Sequence, residues 1–89
     1  MNASVEDQNI EKPRLLAGQL PVLRKMLGAS QTEFAKTIGV SRATLSNLET
    51  GAREMSRTVY LACIAVLLQD EQTRNYLRLL KVIDLEEPV

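Results

Sequence analysis

Histidine is absent from this 89-residue chain, and cysteine occurs once, as Cys63. Without imidazole there is no Ser–His or Cys–His nucleophile pair and no histidine general base. One thiol closes no internal disulfide and anchors no zinc site of the usual Cys/His kinds, so neither a metal nor another cofactor is expected. Catalysis would have to rest on carboxylates, lysine or tyrosine, in a domain too small for a large cleft. The chain therefore reads as no enzyme. Long apolar runs are missing too: the longest, Val59 to Leu68, covers ten residues, against the roughly 20 that span a bilayer. The first twelve residues carry Glu6, Asp7 and Glu11 with no apolar stretch, which excludes a secretory signal from this reading. A lone cysteine suits a reducing, cytoplasmic setting, where Cys63 reads as a small buried hydrophobe.

Net charge is also lacking: eleven basic residues balance eleven acidic ones. The balance hides a pattern along the chain. Residues 1–17 sum to −1, residues 18–57 to +3 and residues 58–89 to −2. A basic middle between acidic ends suits a phosphate-facing surface on one segment only. The apolar fraction of 45% and charged fraction of 25% are those of an ordinary globular domain rather than a disordered chain.

Helical periodicity dominates, with no strand-like alternation and no internal repeat. Residues 1–13, polar and aperiodic, read as a flexible arm, and residues 86–89 as a tail; between them, residues 14–85 form one domain. Leu16, Leu20, Leu23 and Leu27 recur at helical spacing. Pro21 is best tolerated in a first turn, so a regular helix is expected from about Leu20, with residues 14–18 as a lead-in and Gly28 as its C-cap. Ser30-Gln31-Thr32-Glu33 is a capping box that opens a helix ending before Gly39. Ser41 caps a second short helix, 42–49, stopped by Thr50-Gly51. Ser56 caps a helix over 57–69 that is apolar nearly all round, as expected of a central buried helix. Asp70 caps a last helix over 71–83, with Glu71 in its first turn and Lys81 in its last. The fold class is all-α, with five helices. Two short helices joined by a glycine-containing turn, over 31–49, form a helix-turn-helix signal.

The stretch Gln31-Thr32-Glu33-Phe34-Ala35-Lys36-Thr37-Ile38-Gly39-Val40-Ser41-Arg42-Ala43-Thr44-Leu45-Ser46-Asn47-Leu48-Glu49 closely resembles the helix-turn-helix of the phage Cro and repressor family, which includes many bacterial regulators. The resemblance covers about residues 20–68. It implies a five-helix, lambda-repressor-like DNA-binding domain, in a bacterium or encoded by a phage, acting at the nucleoid. The small residue at Ala35 admits the crossing helix. Gly39 supplies a turn conformation costly for other residues, and Phe34, Ile38, Val40, Leu45 and Leu48 fill the space between the two helices.

At about 100° per residue, Arg42, Ala43, Ser46 and Asn47 share one face of the second helix, opposite Leu45 and Leu48. In the family that face enters the major groove. Arg42 suits a guanine O6/N7 edge, Asn47 an adenine, Ala43 a thymine methyl, and Ser46 a base or the backbone. Gln31, Thr44, Arg53 and Arg57 flank this face as candidate phosphate contacts, which position rather than specify. The resemblance further implies that Gln31 braces the recognition helix, and that Arg24 pairs with Glu49 to fix it.

A double-stranded DNA operator is the implied partner. One small module contacts few base pairs, so a homodimer on half-sites about 34 Å apart is expected, with Leu77, Leu80, Val82, Ile83 and Leu85 as its candidate contacts. Three functions remain open at this point. The first is a sequence-specific transcriptional repressor. The second is an antitoxin that also represses its own operon, because the motif followed by Ser56-Arg57-Thr58-Val59-Tyr60-Leu61 and a second apolar helix is similar to the DNA-binding half of some toxin–antitoxin regulators. The acidic arm would then face a toxin. The third is a helical interaction module that binds no DNA, for which the neutral charge argues.

Overall fold

A computed structural model describes the backbone of residues 3–82 and the side chains of residues 11–82. Five helices follow one another: α1 (Ala3–Leu27), α2 (Gln31–Ile38), α3 (Arg42–Thr50), α4 (Arg57–Leu67) and α5 (Glu71–Leu79). No strand occurs among the described residues. α1 packs against α3, α4 and α5, while α2 packs against α3 and α4.

The expected start of α1 near Leu20 is corrected. The helix runs from Ala3 to Leu27, straight through Pro13 and Pro21, and takes in residues expected as a loose arm. An interior proline costs roughly 3 kcal/mol, a figure that rules when only local propensity is weighed. Here Leu16, Leu20 and Leu23 are all fully buried, at spacings that put them on one face, and their burial contributes about 1.5–3 kcal/mol each. Packing wins. Pro21 lies exposed and Pro13 buried.

The expected helix caps are all present. Ser30 Oγ accepts from Glu33 N at 3.1 Å and Glu33 Oε1 accepts from Ser30 N at 2.9 Å, the two halves of a capping box. Ser41, Ser56 and Asp70 accept from the backbone N–H of Thr44, Val59 and Thr73 at 3.0, 3.2 and 3.0 Å. Gly39 closes α2 at φ 84°, a left-handed conformation that strains residues carrying a Cβ. That turn lets Val40 N reach back to the Ala35 carbonyl at 2.9 Å.

The last two helices end earlier than the 69 and 83 expected. α5 stops at Leu79, and Lys81, expected in its last turn, instead leaves the helix at φ 61°. Val82 N then donates to the Leu77 carbonyl at 3.1 Å, which folds Val82 back into the core at 1% exposure. The α4–α5 joint is closed by Thr73, fully buried, whose hydroxyl bonds the Leu67 and Asp70 carbonyls. Arg74 donates to the Leu68 carbonyl at 3.0 Å.

Two further expectations are corrected by burial. Leu77 and Val82, proposed as dimer contacts, are sealed inside the monomer at 0% and 1% exposure, so no partner can reach them. Leu80 is half-buried against the core, and Ile83, Leu85 and the tail 86–89 lie outside the described residues. Nor is α4 buried all round: only Cys63 and Leu67 are fully enclosed, and Leu61 is 49% exposed. A five-helix chain of this length has too few neighbours to surround any one helix. Among the described residues, no helix is long and apolar enough to cross a membrane.

Candidate nucleic-acid interface

α2 and α3 pack directly on each other across the turn 39–41. Phe34, Ala35 and Ile38 point inward from α2, and Leu45 and Leu48 from α3, all buried. That arrangement turns the opposite side of α3 outward. Arg42, Ala43 and Asn47 are exposed, while Ser46 and Thr44 are half-buried. The expected reading face therefore stands as a surface, with Ser46 at its edge.

A polar network ties this face to the rest of the domain. Arg24 Nε donates to Glu49 Oε2 at 2.7 Å and Nη2 to Oε1 at 3.2 Å. The two side chains are only 17% and 6% exposed. Arg24 also donates from Nη1 to the Ala29 carbonyl at 3.2 Å, which anchors the α1–α2 turn. The pair expected from the sequence is therefore formed, two-pronged and largely desolvated, and it joins the end of α1 to the end of α3.

Gln31 extends the network outward. Its Nε2 donates to Glu49 Oε1 at 2.9 Å, and its Oε1 accepts from Arg42 Nη1 at 3.3 Å. A carboxylate only accepts, so Glu49 selects the amide orientation in which the Gln31 oxygen faces Arg42. The guanidinium of Arg42 is thus held at one corner. The bracing of α3 by Gln31 that the resemblance implies takes the form of the bond to Glu49, while the bond to Arg42 was not anticipated.

Beside α3, Thr44 Oγ1 accepts from Ser41 Oγ at 2.9 Å and from Arg53 Nη1 at 3.5 Å. Arg53 thus lies against α3. Arg57 stands exposed in the first turn of α4 and takes no part in the ion pairs among the described residues, which are Arg24–Glu49 and Arg14–Glu54. Arg14 Nη2 reaches Glu54 Oε2 at 2.7 Å across exposed surface, a contact the sequence reading missed. Each carboxylate of the basic middle segment is consequently engaged: Glu33 in its cap, Glu49 with Arg24, Glu54 with Arg14. Among the described residues Arg42 and Arg53 have no carboxylate partner, which leaves this segment's positive charge uncompensated there.

Burial pushes the Cys63 thiol up to about 12, which keeps it protonated and inert. Among the described residues no Cys, Asp or Glu cluster is placed to hold a metal ion.

Comparison with known proteins agrees with this geometry. The family model described as a helix-turn-helix domain matches residues 15–77. The protein named antitoxin HipB from Escherichia coli strain CFT073 is 35% identical over 60 residues, covering 67% of this chain and 64% of that protein. Antitoxin HipB of Escherichia coli strain K12 is 33% identical over 60 residues, covering 67% of this chain and 68% of its own length. The chain thus spans a little under two thirds of the first of these relatives. No solved structure matches significantly. With the family model matching residues 15–77 around an α2–turn–α3 unit of the expected geometry, the chain belongs to the helix-turn-helix domain family.

Proposed function

We propose that the chain is a sequence-specific, double-stranded DNA-binding regulator that reads the major groove with α3 as a dimer and represses transcription. The observation that carries this reading is the exposed end of α3, where Arg42 is held by Gln31 and, among the described residues, pairs with no carboxylate. Arg42 reads a guanine edge; Ala43, Asn47 and Ser46 contact neighbouring bases. Thr44, Arg53 and the free N–H of Gln31 meet phosphates on either side and fix the register. Arg24 and Glu49 touch no DNA and hold α3 in place.

A second reading is favoured by the likeness to proteins named as antitoxins. In it the same chain represses its own operon and binds a toxin partner. Both readings share the DNA-binding step. A partner that co-purifies from a co-expressed neighbouring gene separates them.

Selection of binding sites from random duplex DNA tests the common step, with Arg42→Ala run beside the wild type. Enrichment of an inverted repeat that loses one strongly preferred base pair in the variant is expected. Folded protein that enriches no sequence would overturn the reading in favour of an interaction module.

A further inference from the structure

Among the described residues, two exposed arginines are held by neutral oxygens: Arg42 by the Gln31 amide and Arg53 by the Thr44 hydroxyl. The choice of partner matters electrostatically. A carboxylate fixes a guanidinium but cancels its charge, as Glu54 does for Arg14. A hydroxyl or amide fixes it and leaves the charge whole. Thr44 can thus do for Arg53 what Gln31 does for Arg42.

The chain delivers Arg53 to this place by folding back on α3. Gly51 ends the helix at φ 85°, a left-handed conformation that reverses the backbone. Arg53 N then donates to the Asn47 carbonyl at 3.1 Å. Its side chain runs back about one turn toward the start of α3, where Nη1 meets Thr44 Oγ1 at 3.5 Å. Thr44 is half-buried and is itself pinned. Its N–H donates to Ser41 Oγ at 3.0 Å, and its Oγ1 accepts from Ser41 Oγ at 2.9 Å. With two donors on its oxygen, Thr44 has its own O–H left to give.

We infer that Thr44 is a positioning residue for Arg53, and that the two grip one DNA phosphate as a unit, the Thr44 O–H and an Arg53 N–H donating to it together. This deepens the DNA-binding reading above and rests on it. The Arg53–Thr44 contact is long, so it steers the guanidinium more than it binds it. Thr44 carries no charge, so losing its own bond leaves the number of displaced counterions unchanged. It can alter the salt dependence of binding only through Arg53. Arg57, exposed in the first turn of α4 and in no ion pair among the described residues, is the internal reference for an arginine without such a prop.

The test uses the full chain as wild type, Thr44→Val, Thr44→Ser, Arg53→Ala and the Thr44→Val/Arg53→Ala double variant. Valine keeps the shape and helix propensity of threonine, and circular dichroism melts control for folding. The first readout is affinity for a mixed-sequence duplex across roughly 50–200 mM salt. Arg53→Ala should lower the salt slope by about one per protomer. Thr44→Val should weaken binding about two- to tenfold, the worth of one hydrogen bond, and lower the slope in the same direction. It should add nothing in the Arg53→Ala background, and Thr44→Ser should restore both values. The second readout is the NMR order parameter of each arginine Nε–H without DNA. Arg53 should be more ordered than Arg57 in wild type and fall to its level in Thr44→Val. An unchanged slope in Thr44→Val, additive losses, or a wild-type Arg53 as mobile as Arg57 overturns the assignment. The last comparison decides even if Thr44→Val fails to fold. The expected responses in a protein that enriches no sequence contradict only the proposed function, whereas absence of any duplex binding overturns both.

Discussion

Removing the Arg24 guanidinium is the sharpest perturbation of the fold that deletes no side chain of the proposed reading face. In Arg24→Ala, the Glu49 carboxylate stays at its buried site with one hydrogen bond, from Gln31, where it had three. Glu49 is only 6% exposed, so water replaces the lost partner poorly. Stranding one member of a buried pair costs about 3–5 kcal/mol; the 17% exposure of Arg24 places the expectation at the lower end, about 3 kcal/mol. A domain of this size has roughly 4–13 kcal/mol of total stability, so the loss is a large share of it. It corresponds to a fall in Tm of roughly 12–24 °C. Urea unfolding at neutral pH reads it. Glu49→Gln should cost less, because the remaining cation can lean toward solvent. Replacing both by apolar residues, Arg24→Met with Glu49→Leu, should recover most of the loss. A cost below about 1 kcal/mol for Arg24→Ala, the value of an exposed pair, would refute the reasoning. So would strict additivity of the two single variants in the double.

Other expectations follow from single sites. Gly18→Ala should stabilise by about 0.5–1 kcal/mol, since a Cβ there meets nothing within 4 Å and the residue lies mid-helix; chemical denaturation measures it. Cys63 titrates at 9.0 when free and about 12 when folded, so its contribution is complete below pH 9. It declines by about 1.4 kcal/mol per pH unit from there up to the folded value, because only the unfolded chain releases the proton. Comparing the alkaline stability of wild type with Cys63→Ala isolates this part, and a wild-type decline no steeper than the variant's would contradict it. Gln31→Ala should relax the preference at the base pair read by Arg42 while sparing preferences elsewhere, as seen in site selection. Affinity for any duplex should fall steeply between 50 and 200 mM salt, through loss of phosphate contacts.

The α2–α3 unit was more legible in the sequence than the helix that supports it. Caps are local chemistry, so Ser30, Ser41, Ser56 and Asp70 announced their helices. The α2–α3 unit compresses its packing into nineteen consecutive residues, with a glycine at its turn, and the outward face of α3 followed from periodicity alone. α1 was misjudged because Pro13 and Pro21 were weighed against local propensity, while the force that carries the helix through them is contact with α3, α4 and α5. The last helices failed similarly. Nothing in Leu77 or Val82 distinguishes a leucine or valine sealed in the core from one offered to a partner, and only the return of the chain at Lys81 decides it. The apolar composition of α4 was read as depth, when part of it is surface.

In the proposed function α3 reads base edges in the major groove, with Arg42 on a guanine. The direct measurement is fluorescence anisotropy of the selected duplex with that guanine replaced by 7-deazaguanine, which removes the N7 acceptor and leaves pairing intact. Wild type should lose affinity by a factor corresponding to about 1–3 kcal/mol, and Arg42→Ala, already weakened, should bind both duplexes alike. Equal binding of the two duplexes by wild type, or an undiminished penalty in Arg42→Ala, would contradict the claim.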